Sequence, residues 1–146
     1  MSRAPDRQRS RVYAWENAVV AVVGGSTVPF AQAQGMVDAI WSDLGLLYSP
    51  RVEPLPRQSR SLQADASRLR VRLPDVFPSW LLLHELAHAL SSSEDGQSDG
   101  HGPTFVGLYV QLLVRYMRFP ASSLTSSIKS SGIAIDLEAK PIFLDP

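Results

Sequence analysis

Trp80-Leu81-Leu82-Leu83-His84-Glu85-Leu86-Ala87-His88-Ala89-Leu90, followed after a polar stretch (91 to 100) by His101-Gly102-Pro103-Thr104-Phe105, is the stretch from which the rest of the chain is read. On a helix, residues four apart share one face, so His84 and His88 can bind the same ion, with Glu85 beside them as a general base. A catalytic zinc takes three protein ligands and keeps a fourth position for water, whose pKa falls to about 7. The chain has 3 histidines, all inside the window 84 to 101, and the one outside the pentapeptide is His101. The loop before it is long enough to turn the chain back over the helix, which makes His101 the third ligand. Other spacings fail: six residues after His88 stands Glu94, three residues after it stands Ser91, and Glu138 lies far down the tail.

Glu85 follows the first ligand, so its carboxylate can reach the water without binding the ion. Its expected role is to take the proton from that water as it attacks a carbonyl and to deliver it to the leaving group. Tyr109 and Tyr48 are candidates for an oxyanion donor on residue type alone. Leu82, Leu83, Leu86 and Leu90 supply a separate buried face that needs no histidine.

Outward from the motif, Pro103 suits the first turn of a helix whose Phe105, Leu108, Leu112, Val106, Val110 and Leu113 form a broad apolar face up to Met117. Asp75 or Ser79 is expected to cap the motif helix. Before it, Arg68-Leu69-Arg70-Val71-Arg72-Leu73 alternates strictly and reads as a half-buried strand with Leu69, Val71 and Leu73 on one face. Segments near Arg51 to Leu55 and Ser61 to Ala64 are expected to pair with it in a small antiparallel sheet. A first helix spans Asp6 to Val23, with Val12, Trp15 and Val19 at helical spacing. A second, capped by Ser26 or Thr27 with Pro29 in its first turn, carries Val37, Ile40, Trp41 and Leu44. A short helix at Ser122 to Ser130 and a strand at Ile133 to Asp136 complete the expectation.

The 146 residues, 45% hydrophobic, suffice for one domain over 1–146 with a real core. There is no cysteine, which excludes disulfides, thiolate nucleophiles and any cysteine zinc ribbon. Basic and acidic residues both number 14, so no global charge argues for a nucleic-acid or membrane partner. Residues 1 to 72 carry +4 and residues 73 to 146 carry −4, a mild asymmetry. The apolar run Ala18 to Val23 is six residues, preceded by Glu16 and Asn17. That is short for a secretory core of roughly 7–15 residues or a membrane span of about 20, so a cytoplasmic protein is expected.

The segments His84-Glu85-Leu86-Ala87-His88 and His101-Gly102-Pro103-Thr104-Phe105 resemble those of the SprT-like zinc metallopeptidases. There an H-E-x-x-H helix is followed, after a polar loop, by H-G-P-x-F opening the next helix. The likeness covers Trp80 to Tyr116. It implies an α+β, zincin-like fold with a small antiparallel sheet beside the active-site helix, and zinc held by three histidines. The opening Gln8-Arg9-Ser10-Arg11-Val12-Tyr13-Ala14-Trp15-Glu16-Asn17 is similar to the start of a family of small metallohydrolases of bacteria and their phages, which brings no substrate with it. SprT-like proteins often carry a cysteine zinc ribbon that helps bind DNA. This chain has none, so a role at DNA-protein crosslinks is not carried over. Thr104 stands where an acidic residue is frequent.

The expectation is therefore a zinc metallopeptidase acting on a polypeptide, which could pair with an edge strand at Leu69 to Leu73. One alternative is a zinc hydrolase of another substrate, including nucleic acid, served by Arg57, Arg60, Arg68, Arg70 and Arg72. The other is a binding module that uses zinc to hold its fold, for which Glu85 would have no use.

Overall fold

Helix α3 (Ser79–Leu90) is the element around which the others pack. Leu81, Leu82, Leu83, Leu86, Ala87, Ala89 and Leu90 are all buried, as are His84 and Glu85, so the helix meets water only at its first turn and at His88. Burying each of these leucines contributes roughly 1.5–3 kcal/mol relative to leaving it in water. The structure, a computed structural model, describes residues 6–56 and 64–143. Helix α4 (Pro103–Met117) lies along α3 and buries Phe105, Val106, Leu108, Val110, Leu112 and Leu113, the face its spacing predicts. Pro103 stands in its first turn, where a missing N–H costs nothing.

On another side of α3 lies a three-stranded sheet of β2 (Arg51–Pro54), β3 (Asp65–Ala66) and β4 (Arg70–Leu73), in the order β2-β4-β3. The architecture is α+β, but the sheet is mixed rather than antiparallel. β2 runs parallel to β4, with Val52 opposite Val71, and β3 runs antiparallel to it, with Asp65 opposite Arg72. The chain between β2 and β4 is long enough for the crossover that parallel pairing requires. The strand expected at an edge, Leu69 to Leu73, is thus the central one, paired on both sides.

The alternation read from its sequence holds at Val71 and Leu73, which are buried, and fails ahead of them. Leu69 is 53% exposed and Arg68 only 2%. The strand begins at Arg70, so the pleat does not govern the two residues before it. The Arg68 guanidinium sits 4.9 Å from the Trp41 ring and 4.1 Å from the Phe143 ring, and its Nη1 donates to the Tyr48 carbonyl at 3.0 Å. A flat, weakly hydrated cation stacks on aromatic faces at little cost in solvation.

The segment expected to cap the second helix is instead a strand, β1 (Thr27–Pro29), antiparallel to β5 (Val76–Pro78). Pro29 is held extended, and helix α2 (Ala33–Asp43) starts one short 3-10 turn later, burying Val37, Ile40 and Trp41 as expected. β5 runs straight into α3, whose N-cap is Pro78. Neither Asp75 nor Ser79 caps it.

The first helical stretch is α1 (Arg9–Trp15), widened into a π turn over Glu16–Val20 and closed by a 3-10 turn over Ala21–Val23. Its buried residues are Val12, Trp15, Glu16 and Val20. The wider turn moves the inward position from Val19, which regular spacing selects, to Val20, five residues after Trp15. After α5 (Ala121–Ser130), the residues from Ile133 to Asp136 form no strand. They dock on α4, with the Asp136 N–H donating to the Pro103 carbonyl at 3.1 Å. Arg57, Arg60 and the expected strand residues 61 to 63 lie outside the described residues. Among the described residues no helix is long and apolar enough to cross a membrane.

Candidate metal centre

His84 and His88 come to one face of α3 by helical geometry, and the fold brings His101 to them. One ring nitrogen from each lies within 4.8 Å of the others. The ring centroids are 5.0 Å apart for His84 and His88, 5.6 Å for His84 and His101, and 4.6 Å for His88 and His101.

Three local devices place His101. The loop after α3 is pinned where the Ser92 hydroxyl donates to the His88 carbonyl at 2.6 Å, and Ser92 bridges to Ser98. Asp99 then accepts from the Thr104 N–H at 2.8 Å and the Phe105 N–H at 3.3 Å, satisfying two orphan donors at the start of α4. Gly102 makes room for that carboxylate, because a Cβ there would stand 2.7 Å from Asp99 Oδ2. Phe105 supplies the floor of the site: its ring stacks on His88 at 4.2 Å and 24° and meets His84 edge-on.

Two carboxylates from the N-terminal segment hold the other two histidines, and the sequence reading had assigned neither. Glu16 Oε2 accepts a hydrogen bond from His84 Nδ1 at 2.5 Å, and the Tyr109 hydroxyl donates to the same oxygen at 2.7 Å. Asp6 Oδ2 accepts from His101 Nδ1 at 2.6 Å, while Asp6 Oδ1 takes the His101 backbone N–H at 3.1 Å. Gly100, at φ +64°, permits this approach, since a Cβ there would lie 2.8 Å from Asp6 Oδ2. For Glu16 the sequence offers one sign: four residues after Val12, it borders the face that Val12 and Trp15 bury, where a carboxylate needs a partner. Asp6 carried no such mark.

These contacts bear on whether a metal fits. A carboxylate at Nδ1 fixes the proton there and leaves Nε2 of His84 and His101 as the free donor atom, an arrangement usual behind metal-bound histidines. His101 Nε2 is buried and has no hydrogen-bond partner, a state that costs free energy unless an ion fills it. With no cysteine and three neutral imidazoles, the donor set suits zinc.

The pKa directions follow from the same geometry. His88 is driven well below the usual histidine value by burial, then by the charges of His84 and His101. Burial also lowers His101, only partly offset by Asp6. Burial lowers His84 too, but the Glu16 hydrogen bond and charge, with Glu85, outweigh it and leave the pKa raised. Glu85 is pushed up to about 7, by burial first, with His84 pulling it down and Glu16 and Asp65 adding to the rise. Its carboxylate takes no hydrogen bond from the described residues, so it is a buried base with its lone pairs uncommitted.

The two tyrosines proposed from sequence as oxyanion donors do not take that place. Tyr109 is 1% exposed with its hydroxyl on Glu16, and Tyr48 is out on the surface. The tyrosine at the mouth is Tyr13, whose ring lies parallel to His84 at 5.7 Å and tilted on His101 at 5.0 Å. The basic strand is also not free: Arg68 is buried, Arg70 pairs with Glu53 at 3.6 Å, and Arg72 pairs with Asp65. No family model matches the chain, and comparison with curated proteins and with solved structures gives no match either.

Proposed function

We propose that the chain is a zinc-dependent hydrolase, and within that class a metallopeptidase with a zincin-like arrangement. The observation that carries this is the convergence of three imidazoles around a buried, unpartnered nitrogen, with the uncommitted carboxylate of Glu85 one residue after the first of them. A purely structural ion would need the three histidines and a fourth ligand, and would have no use for a carboxylate held beside them.

His84, His88 and His101 would hold the ion, which would supply Lewis acidity toward a water and a substrate carbonyl. Glu85 accepts the proton of the attacking water and returns it to the leaving amine. Phe105 and the buried leucines of α3 exclude bulk water from behind the ligands, which strengthens each charge interaction in front of them.

An extended peptide adds to the sheet at β3, not at β4, whose two sides are taken. β3 packs against α3, and Asp65 is close enough to act on the charge of Glu85. A substrate strand on its outer side would run past the histidines, with main-chain hydrogen bonds fixing the register. A phosphodiester substrate has less support among the described residues, where Arg70 and Arg72 are paired and Arg68 is buried.

The test is cleavage profiling of a peptide library by zinc-loaded wild type and Glu85→Gln, with metal content measured on both. The expected result is one zinc per chain in each and cleavage by wild type alone. Protein that takes up no zinc, or a Glu85→Gln variant as active as wild type, would overturn the proposal.

A further inference from the structure

The entrance to the site is bordered by few side chains. His84, Glu85 and His101 are buried, His88 is half-buried, and Tyr13 is 38% exposed. Tyr13 lies on α1 between Asp6 and Glu16, the residues that hold His101 and His84. Asp6 precedes α1, Arg9 and Tyr13 lie on it, and Glu16 opens the π turn that follows. This segment is turned to the histidines: Asp6 and Glu16 bond them, and Tyr13 stacks beside them.

Among the described residues Arg9 is the side chain that hydrogen-bonds Tyr13, and because a guanidinium can only donate, the Tyr13 O–H is left to donate elsewhere. It contrasts with Tyr109, whose hydroxyl is committed to Glu16. The Arg9 guanidinium, 5.8 Å from the Tyr13 ring centroid, sits on the same rim and forms no ion pair among the described residues. A phenol, with an ordinary pKa of about 10, keeps its proton at neutral pH.

We propose that Tyr13 is a catalytic residue, donating its phenolic O–H to the substrate oxygen on which negative charge develops at the three-histidine site. The proton stays on the phenol throughout; the hydroxyl contributes a hydrogen bond that strengthens as the carbonyl oxygen gains charge. This rests on the reading of the site as a zinc hydrolase. It assigns the oxyanion donor to the N-terminal segment 6–16, which thereby supplies both the carboxylates behind the ligands and the donor in front of them.

The test uses acetohydroxamic acid, a small chelator that places a carbonyl oxygen on the metal, with binding measured by titration calorimetry on the zinc-loaded chain. Tyr13→Phe keeps the stacked ring and removes only the hydroxyl. The expected result is a Kd for acetohydroxamate raised at least tenfold in Tyr13→Phe, with zinc affinity within twofold of wild type. An unchanged Kd in a variant that retains its zinc would overturn the role of Tyr13 and leave the zinc reading standing. Zinc-loaded wild type that fails to bind the chelator would also overturn it, because no position would be open for a substrate oxygen. Wild type that takes up no zinc would remove the underlying reading and this role with it.

Discussion

Glu16 Oε2 receives His84 Nδ1 at 2.5 Å and the Tyr109 hydroxyl at 2.7 Å, in a pocket where all three side chains are buried. The carboxylate sets the His84 tautomer and raises its basicity, and the Tyr109 hydroxyl holds the carboxylate in place. Glu16→Gln is therefore expected to weaken zinc binding roughly 10–100-fold. Asp6→Asn should cost less, because Asp6 is partly exposed and its bond to His101 competes with water. Competition with a chromophoric chelator gives both constants. Glu16→Gln holding zinc as tightly as wild type would contradict the assignment.

Protons compete with zinc mainly at His84. Its pKa is raised by Glu16 in spite of burial, whereas His88 and His101 are lowered and stand neutral at pH 7. Zinc uptake displaces whatever proton His84 holds, and near neutral pH His84 holds more of it than His88 or His101. Without the Glu16 charge the His84 pKa falls, so Glu16→Gln is expected to release fewer protons per zinc than wild type. Calorimetry in two buffers of different ionisation enthalpy measures this; an equal or larger release in the variant would count against it.

Glu85 makes the metal-free protein sensitive to pH in an unusual direction for a carboxylate. Its pKa rises from 4.5 to about 7 on folding, so between those values the folded state binds more protons than the unfolded one. Stability from this group is then present at low pH and lost as pH rises through about 7. Glu85→Gln removes the buried charge, and should stabilise the metal-free chain by up to roughly 3 kcal/mol at pH 8 and by little at pH 5. Urea unfolding in chelator at the two pH values provides the comparison. A gain of equal size at both would mean that packing, not ionisation, is responsible.

Gly107 allows the tail to dock. A Cβ there would lie 1.9 Å from the Asp136 carbonyl oxygen and 2.9 Å from the Ala139 Cβ, so Gly107→Ala must push the 134–139 segment off α4. The expected cost is about 1–3 kcal/mol, the usual range for overpacking, read as a lowered melting temperature. An unchanged melting temperature would show that the tail shifts freely.

The histidine pair, the leucine face of α3, the apolar face of α4 and the core of α2 were all legible, because each rests on spacing along a single helix. The sheet was less so. Arg68 to Leu73 reads as an alternating strand, but its place at the centre depends on a parallel crossover that local pattern does not encode. Ser26 to Pro29 carries cap and turn residues that serve a strand equally well. Its pairing with Val76–Pro78 decides the matter. Arg68, Arg70 and Arg72 read as a basic face because their partners, the Trp41 and Phe143 rings, Glu53 and Asp65, lie outside the segment's own alternation.

What the sequence by itself determined is the local chemistry: two imidazoles at i and i+4 with a carboxylate between, since 3.6 residues per turn place them together whatever the rest of the chain does. Tertiary structure decided what stands around them. Glu16, Asp6 and Tyr13 reach the histidines only because the N-terminal segment crosses α3 and a π turn presents Glu16 inward, 68 positions from His84. Contacts between such distant residues depend on how whole elements pack, and side-chain spacing along one element carries no record of that.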